Sequence, residues 1–225
     1  MPQTTHQDLI VADICNTLYD SNTTFDFVRY CLDTGRLKKS LLHKISGARN
    51  APLFWPLLVL QKLTGKDYHK QIAVSLFKGK KVEEVEEWTK SFYDNFLSKK
   101  IIPQTNELLK SFGKEQIVLA SSTIEPVARI IASRLGLQNY VATALEVSSG
   151  RYTGKILSEL SGRKLEALKE KFMKDGRKLA VVISDNFSDK DLMLSSEKKY
   201  AVCYNEKQAT FWKKIEDINI VKIGH

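Results

Sequence analysis

The chain has 225 residues, 43% hydrophobic and 27% charged, enough for one substantial core, or a core plus a small inserted unit, in an ordinary soluble globular protein. The longest apolar run, residues 52–60, is too short to cross a bilayer, and the N-terminus lacks the basic and then apolar regions of a secretion signal. Cys15, Cys31 and Cys203 are odd in number, scattered and set among apolar residues, so reduced thiols and a cytoplasmic location are expected. The net charge of +9 is uneven: residues 23–100 hold fifteen Lys/Arg against eight Asp/Glu. Nucleic acid, anionic lipid or an anionic substrate would each suit such a surface, as would plainly solvated helix faces. No zinc-knuckle spacing and no aromatic RNA-recognition pattern accompanies the charge, so no nucleic-acid partner is expected and the solvated reading is preferred.

In chain order, Leu9-Ile10-Val11-Ala12 reads as a short buried strand with Asp13 at its end. The crevice beyond the carboxyl ends of strands is where open α/β sheets bind ligands, which places Asp13 for chemistry. Residues 19–24 are polar and lead into a helix N-cap. From there to about residue 100 the period is helical: Phe25, Val28, Cys31 and Leu32 form one stripe and Leu37, Leu41, Leu42 and Ile45 another, with Gly35, Gly47, Gly65 and Gly79 as punctuation. Val82, Val85, Trp88, Phe92 and Phe96 make a third stripe behind four glutamates that suit a helix start. The stretch 51–60 is apolar on every face. It is read as the buried centre of a helical unit, in preference to a patch resting on a membrane or another protein.

Beyond Ile102 the period changes. A helix over 105–112 precedes the strand Gln116-Ile117-Val118-Leu119-Ala120-Ser121, and a helix over 125–135 is closed by Gly136. Residues 140–147 and 152–156 read as a hairpin around Ser148-Ser149-Gly150-Arg151. A helix over 164–173, a strand over 178–183 running into Ser184-Asp185-Asn186-Phe187-Ser188-Asp189, a helix opened by Asp189, a strand over 200–204 and a helix over 209–215 complete the series. Alternating strands and helices imply an α/β fold, a doubly wound parallel sheet.

Four elements in order carry a resemblance: Asp13-Ile14-Cys15-Asn16-Thr17 after the first strand, Ser121 ending the second, Lys164 opening a helix, and Asp185 with Asp189 four residues on. This series resembles motifs I to IV of the haloacid dehalogenase (HAD) superfamily, whose first motif is Asp-x-Asp-x-Thr. The helical insertion directly after motif I resembles the branch that includes phosphoserine phosphatase, as do Ser121-Ser122-Thr123-Ile124-Glu125-Pro126-Val127 and Gly150-Arg151-Tyr152-Thr153-Gly154. The resemblance covers roughly residues 9–204. It implies a Rossmann-like core of residues 1–22 and 101–225, an inserted all-helical cap of residues 23–100, and Mg2+-dependent hydrolysis of a small phosphorylated substrate.

Carried over residue by residue, the resemblance makes Asp13 the nucleophile that forms an aspartyl-phosphate, and Lys164 the cation paired with it and with the phosphate. Arg163 competes for that role, but the apolar Leu165 and Leu168 favour Lys164. Thr17, Ser121, Ser122 and Asn186 would contact phosphate. Asp13, Asp185, Asp189 and the backbone carbonyl of Cys15 would surround Mg2+. Cys15 stands where the family has the second aspartate, the acid that protonates the leaving group. A thiol of pKa about 8.5 is a far weaker acid than a carboxyl, and losing such a group costs about 10²–10⁴ in rate. Slow or specialised turnover is therefore expected. The alternatives are a degenerate domain that binds a phosphate ligand or a partner, a phosphotransferase, and a dehalogenase, the last disfavoured by the retained Asp185 and Asp189.

Overall fold

The computed structural model describes residues 8–46 and 49–224. Residues 1–7 of the expected core segment, Gly47 and the side chain of Ile45 lie outside that description. β1 (Leu9–Ala12) is followed by five helices: α1 (Thr23–Asp33), α2 (Leu41–Ser46), α3 (Phe54–Thr64), α4 (Tyr68–Ser75) and α5 (Val82–Asn95). The chain then alternates through α6 (Pro103–Lys110), β2 (Ile117–Ile124), α7 (Glu125–Leu135), β3 (Asn139–Ser148), β4 (Arg151–Ser158), α8 (Lys164–Phe172), β5 (Leu179–Ser184), α9 (Lys190–Leu194), β6 (Ser196–Cys203), α10 (Glu206–Trp212) and β7 (Ile218–Lys222). The strands form one sheet in the order β4-β3-β2-β1-β5-β6-β7, parallel throughout except for the β3–β4 hairpin. The expected Rossmann-like α/β sheet is present. β1 lies between β2 and β5, at the point where strand order reverses, and its carboxyl end opens on the switch-point crevice.

Period-two alternation divides the apolar strands between two cores. Ile10, Ala12, Ile117, Leu119, Val181 and Ile183 face one side, whereas Leu9, Val11, Val118, Ala120 and Val182 face the other, and an irregularity at the start of β5 puts Leu179 with the second set. With both faces covered by helices, the central strands β1 and β5 and the first half of β2 read as continuous hydrophobic runs. The first core does not stop at the sheet. Phe27 of α1 stacks on Phe77 at 5.7 Å and meets Phe92 of α5 at 5.3 Å, in the same cluster as Ile124, Val127 and Tyr152.

Main-chain bonds join the helical segment to the sheet edge as well. Gly79 N–H donates to Tyr152 O at 2.8 Å, Tyr152 N–H to Lys80 O at 2.9 Å, and Val82 N–H to Gly150 O at 3.0 Å. The hairpin that accepts them turns through Ser149 and Gly150 with φ of 49° and 71°, the conformation a two-residue turn between twisted strands requires. Gly154, at φ 82°, lets β4 pass close to α4, where a Cβ would come within 3.1 Å of Ser75 O.

Two expectations are corrected. The stretch 51–60 is not buried: no residue of α3 is, and Trp55, Val59 and Leu63 are 62%, 59% and 78% exposed. The helix is apolar all round but has neighbours on one side only, where Phe54, Leu57 and Leu58 are half-buried toward α2 and α4. Leu41 and Leu42 of the second stripe are exposed too. The strand β7 was not read from the sequence; it is a short edge strand that starts just after Asp217, at φ 55°.

Lys70 of α4 is buried and donates to Ser122 O at 2.9 Å and Glu159 Oε1 at 2.8 Å, tying the helical segment to β2 and to the residue that follows β4. Burial alone would push the Glu159 carboxyl up, but the Lys70 ammonium and its hydrogen bonds hold it below the usual carboxylate range. A carboxyl whose folded pKa is depressed stabilises the fold above its unfolded pKa, and that contribution disappears as pH falls through the folded value. The stability difference between the native chain and Glu159→Gln, from urea unfolding, should thus be constant from neutrality down to about pH 5 and shrink at lower pH. Phe92→Ala should cost about 3–5 kcal/mol in the same assay.

Candidate active site

The carboxyl ends of β1, β2 and β5 bring together Asp13, Ser121 and Asp185, and the first turn of α8 delivers Lys164. Asp13 is 5% exposed. Its N–H donates to Ile183 O at 2.9 Å, its Oδ1 accepts from Ile14 N–H at 2.7 Å, and its Oδ2 lies 3.0 Å from Lys164 Nζ. Lys164 Nζ also donates to Asp189 Oδ2 at 2.7 Å, and Ser184 Oγ donates to the same oxygen. Burial alone would lower the lysine's pKa, but Asp13 and then Asp189 hold its proton more tightly than in water. Arg163, the competitor, points away and pairs with Glu166 on the surface.

The loop after β1 is pinned from several directions. Asn16 sits at φ 50°, a conformation asparagine tolerates better than most side chains, and its carbonyl accepts from Tyr204 OH at 2.9 Å. From α6, Thr105 donates to Thr17 O and Asn106 to Leu18 O. Thr17 is fully buried. Its hydroxyl donates to Asp185 Oδ1 and accepts Asp185 N–H, both at 3.1 Å. That hydroxyl, expected to touch phosphate, instead fixes Asp185.

Asp185 is half-buried, and Thr17 is the one side-chain donor it meets among the described residues. Burial first and the Asp13 charge next push its carboxyl up to about 7. A second carboxylate set beside Asp13 with so little compensation suits a divalent cation held by oxygen ligands. Among the described residues no three His, Cys, Asp or Glu side chains are grouped so as to hold a metal. The expected third carboxylate, Asp189, is turned to Lys164 and Ser184, so a lysine stands where it would have closed the cluster.

Cys15 Sγ lies 3.0 Å from Thr23 Oγ1 and accepts from Ser121 Oγ at 4.0 Å. Burial, then the charge of Asp13, push the thiol up to about 11. Ser121 is buried at the crevice, whereas Ser122 presents its carbonyl to Lys70 and to Thr143 Oγ1. Asn186 is exposed, and its Oδ1 accepts from Ser188 N–H as a turn cap. Thr23 and Thr24 at the start of α1 both meet Thr123 Oγ1, so the helical segment reaches the crevice through hydroxyls that sequence reasoning passed over.

Asp13 at the end of the central strand, the buried Lys164 and the acidic loop after the neighbouring parallel strand β5 thus meet in one crevice. The family model for haloacid dehalogenase-like hydrolases matches residues 10–194, and the chain belongs to that family. Among characterised sequences it is similar to a putative hydrolase of Mycobacterium leprae and to the phosphoserine phosphatase SerB1 of Mycobacterium tuberculosis. Each is 26% identical over 140 residues, covering 57% of this chain and 47% and 46% of the relative. The chain thus spans about half the length of the curated relatives it matches. Among solved structures, a protein of unknown function from Bordetella pertussis Tohama I has a TM-score of 0.76 at 18% identity, covering 96% of this chain and 99% of that one. A phosphoserine phosphatase in apo form has a TM-score of 0.59 at 21% identity, covering 96% and 94%. These likenesses show the fold.

The lysine bridge leads to a stability prediction. Lys164→Met leaves two buried carboxylates without their counter-charge and should cost about 3–5 kcal/mol, read as a fall in the urea midpoint. Arg163→Met should stay within about 0.5 kcal/mol of the native chain.

Proposed function

We propose that the protein is a Mg2+-dependent phosphatase of small phosphorylated metabolites that works through an aspartyl-phosphate on Asp13. The observation that carries this reading is Asp13 at the end of the central strand, one oxygen held by Ile14 N–H and the other beside Lys164. In that position a carboxylate can attack a phosphorus in line with its leaving group, while the ammonium offsets the charge on the equatorial oxygens. Ser121, buried at the crevice, would donate to a phosphate oxygen. Asp13, Asp185 and the Cys15 carbonyl would hold Mg2+, which when bound supplies positive charge toward the transferring phosphoryl group. Asp189 acts through Lys164 by fixing its direction, and Thr17 acts through Asp185. The helical segment 23–100 would cover the crevice as a cap. The likeness to phosphoserine phosphatases supports a phosphomonoester as the substrate class, and phosphoserine is one candidate to screen.

Cys15 sets the rate. With its thiol pushed up to about 11, the residue is a poor donor to an alkoxide leaving group and a poor activator of water. That observation favours a second reading, in which the phosphoryl group on Asp13 passes to an acceptor other than water or is held in a binding role. Cys15→Asp should raise turnover of an alkyl phosphate by about 10²-fold, roughly 2.7 kcal/mol of barrier, and turnover of p-nitrophenyl phosphate by much less. Asp13→Asn should abolish both activities. If Cys15→Asp changes neither rate while fold and Mg2+ binding persist, the binding reading takes precedence. Calorimetric titration should show weaker Mg2+ binding to Asp185→Ala than to the native chain; equal affinity would remove Asp185 from the metal site.

A further inference from the structure

The outward side of α3 has no counterpart in the chemistry above. A surface helix normally turns polar residues to water, yet here Trp55, Val59 and Leu63 lie four apart on one exposed face, with Leu60 beside them. Leu41 and Leu42 of α2 extend the exposed apolar area. Along the chain on either side of this area the charge has one sign. From residue 34 to residue 66 the chain contains seven Lys/Arg and no Asp/Glu, and Lys38, Lys39, Lys62 and Lys66 are exposed. Water is a poor solvent for the apolar area, and the cations reject another cationic surface.

We propose that the α2–α3 face docks on an anionic phospholipid bilayer, with α3 lying in the plane of the interface. Such a surface offers both chemistries at once: headgroup phosphates for the lysines and hydrocarbon for Trp55, Val59 and Leu63. An indole at 62% exposure matches the interfacial layer, where an amphipathic ring can keep its N–H in the headgroups. A second copy meeting the same face would bring two cationic rims together. α3 has 11 residues, too few to span, and among the described residues no helix is long and apolar enough to cross a membrane. The contact is therefore peripheral, and salt weakens it.

The protein carries its own probe. Of the three tryptophans, Trp88 is 8% exposed and Trp212 fully buried, so Trp55 is the one that can report contact with lipid. The test is co-sedimentation with vesicles of phosphatidylglycerol and phosphatidylcholine, or of phosphatidylcholine alone, paired with fluorescence quenching by lipids brominated on the acyl chain. Binding to the anionic vesicles should exceed binding to neutral ones at least tenfold and fall steeply with added salt. Acyl-chain bromine should quench the native chain and not Trp55→Phe. Trp55→Ser/Leu63→Ser and Lys38→Gln/Lys39→Gln/Lys62→Gln/Lys66→Gln should each lose at least tenfold in binding while keeping the native circular dichroism. The proposal is overturned if the native chain stays in the supernatant with anionic vesicles, or if both folded variants bind as it does. It is also overturned if light scattering shows a stable dimer without lipid that Trp55→Ser/Leu63→Ser dissolves. None of these readouts needs turnover, so a failed phosphatase assay leaves the test intact.

Discussion

Lys164 brings its ammonium group into a site only 4% exposed, and the surrounding chain is arranged around that charge. Removing an ammonium from water is costly unless partners replace its hydration, and here Asp13 and Asp189 do so at 3.0 and 2.7 Å. The bridge joins the end of β1 to the loop after β5 through the first turn of α8. It directs Asp189 away from Asp185 and keeps one oxygen of Asp13 beside a cation. Thr17 completes the frame from the other side by gripping Asp185 twice. The crevice is held by charge and hydrogen bonds, and the two hydrophobic cores only supply the strands that carry it.

That arrangement explains why a cysteine can stand at the third position of the first motif without dismantling the site. Cys15 lies between Thr23 and Ser121, and its hydrogen bonds among the described residues go to them and not to Lys164 or Asp189 of the bridge. Its thiol faces the Thr23 and Ser121 hydroxyls. With a thiol at this position the Asp13–Lys164 pair stays in place.

Much of the frame was legible in the residues because its signals are local. Apolar strands ending in Asp13, Ser121 and Asp185, and a lysine opening an amphipathic helix, can each be read within about ten residues. What was not legible depends on distant partners. Thr17 reads as a phosphate contact until Asp185, 168 positions away, takes up its hydroxyl. Lys70 is one basic residue among many until Glu159, 89 positions on, draws it into the interior. The burial of 51–60 was misjudged because a helix apolar on every side carries no sign of which side has a neighbour. β7 was missed because an edge strand needs only one apolar face, and Ile218-Asn219-Ile220-Val221-Lys222 shows little more.

The central claim is that Asp13 forms a covalent bond to phosphorus. It is tested most directly by acid-quenching the protein during turnover of a reactive phosphate ester with Mg2+ and locating the phosphoryl group by peptide mass spectrometry. The account predicts a hydroxylamine-labile phosphoryl group on Asp13, accumulating because Cys15 is slow to activate the water that would remove it. Consumption of the ester with Asp13 unmodified, or with phosphorus on another residue, would contradict it.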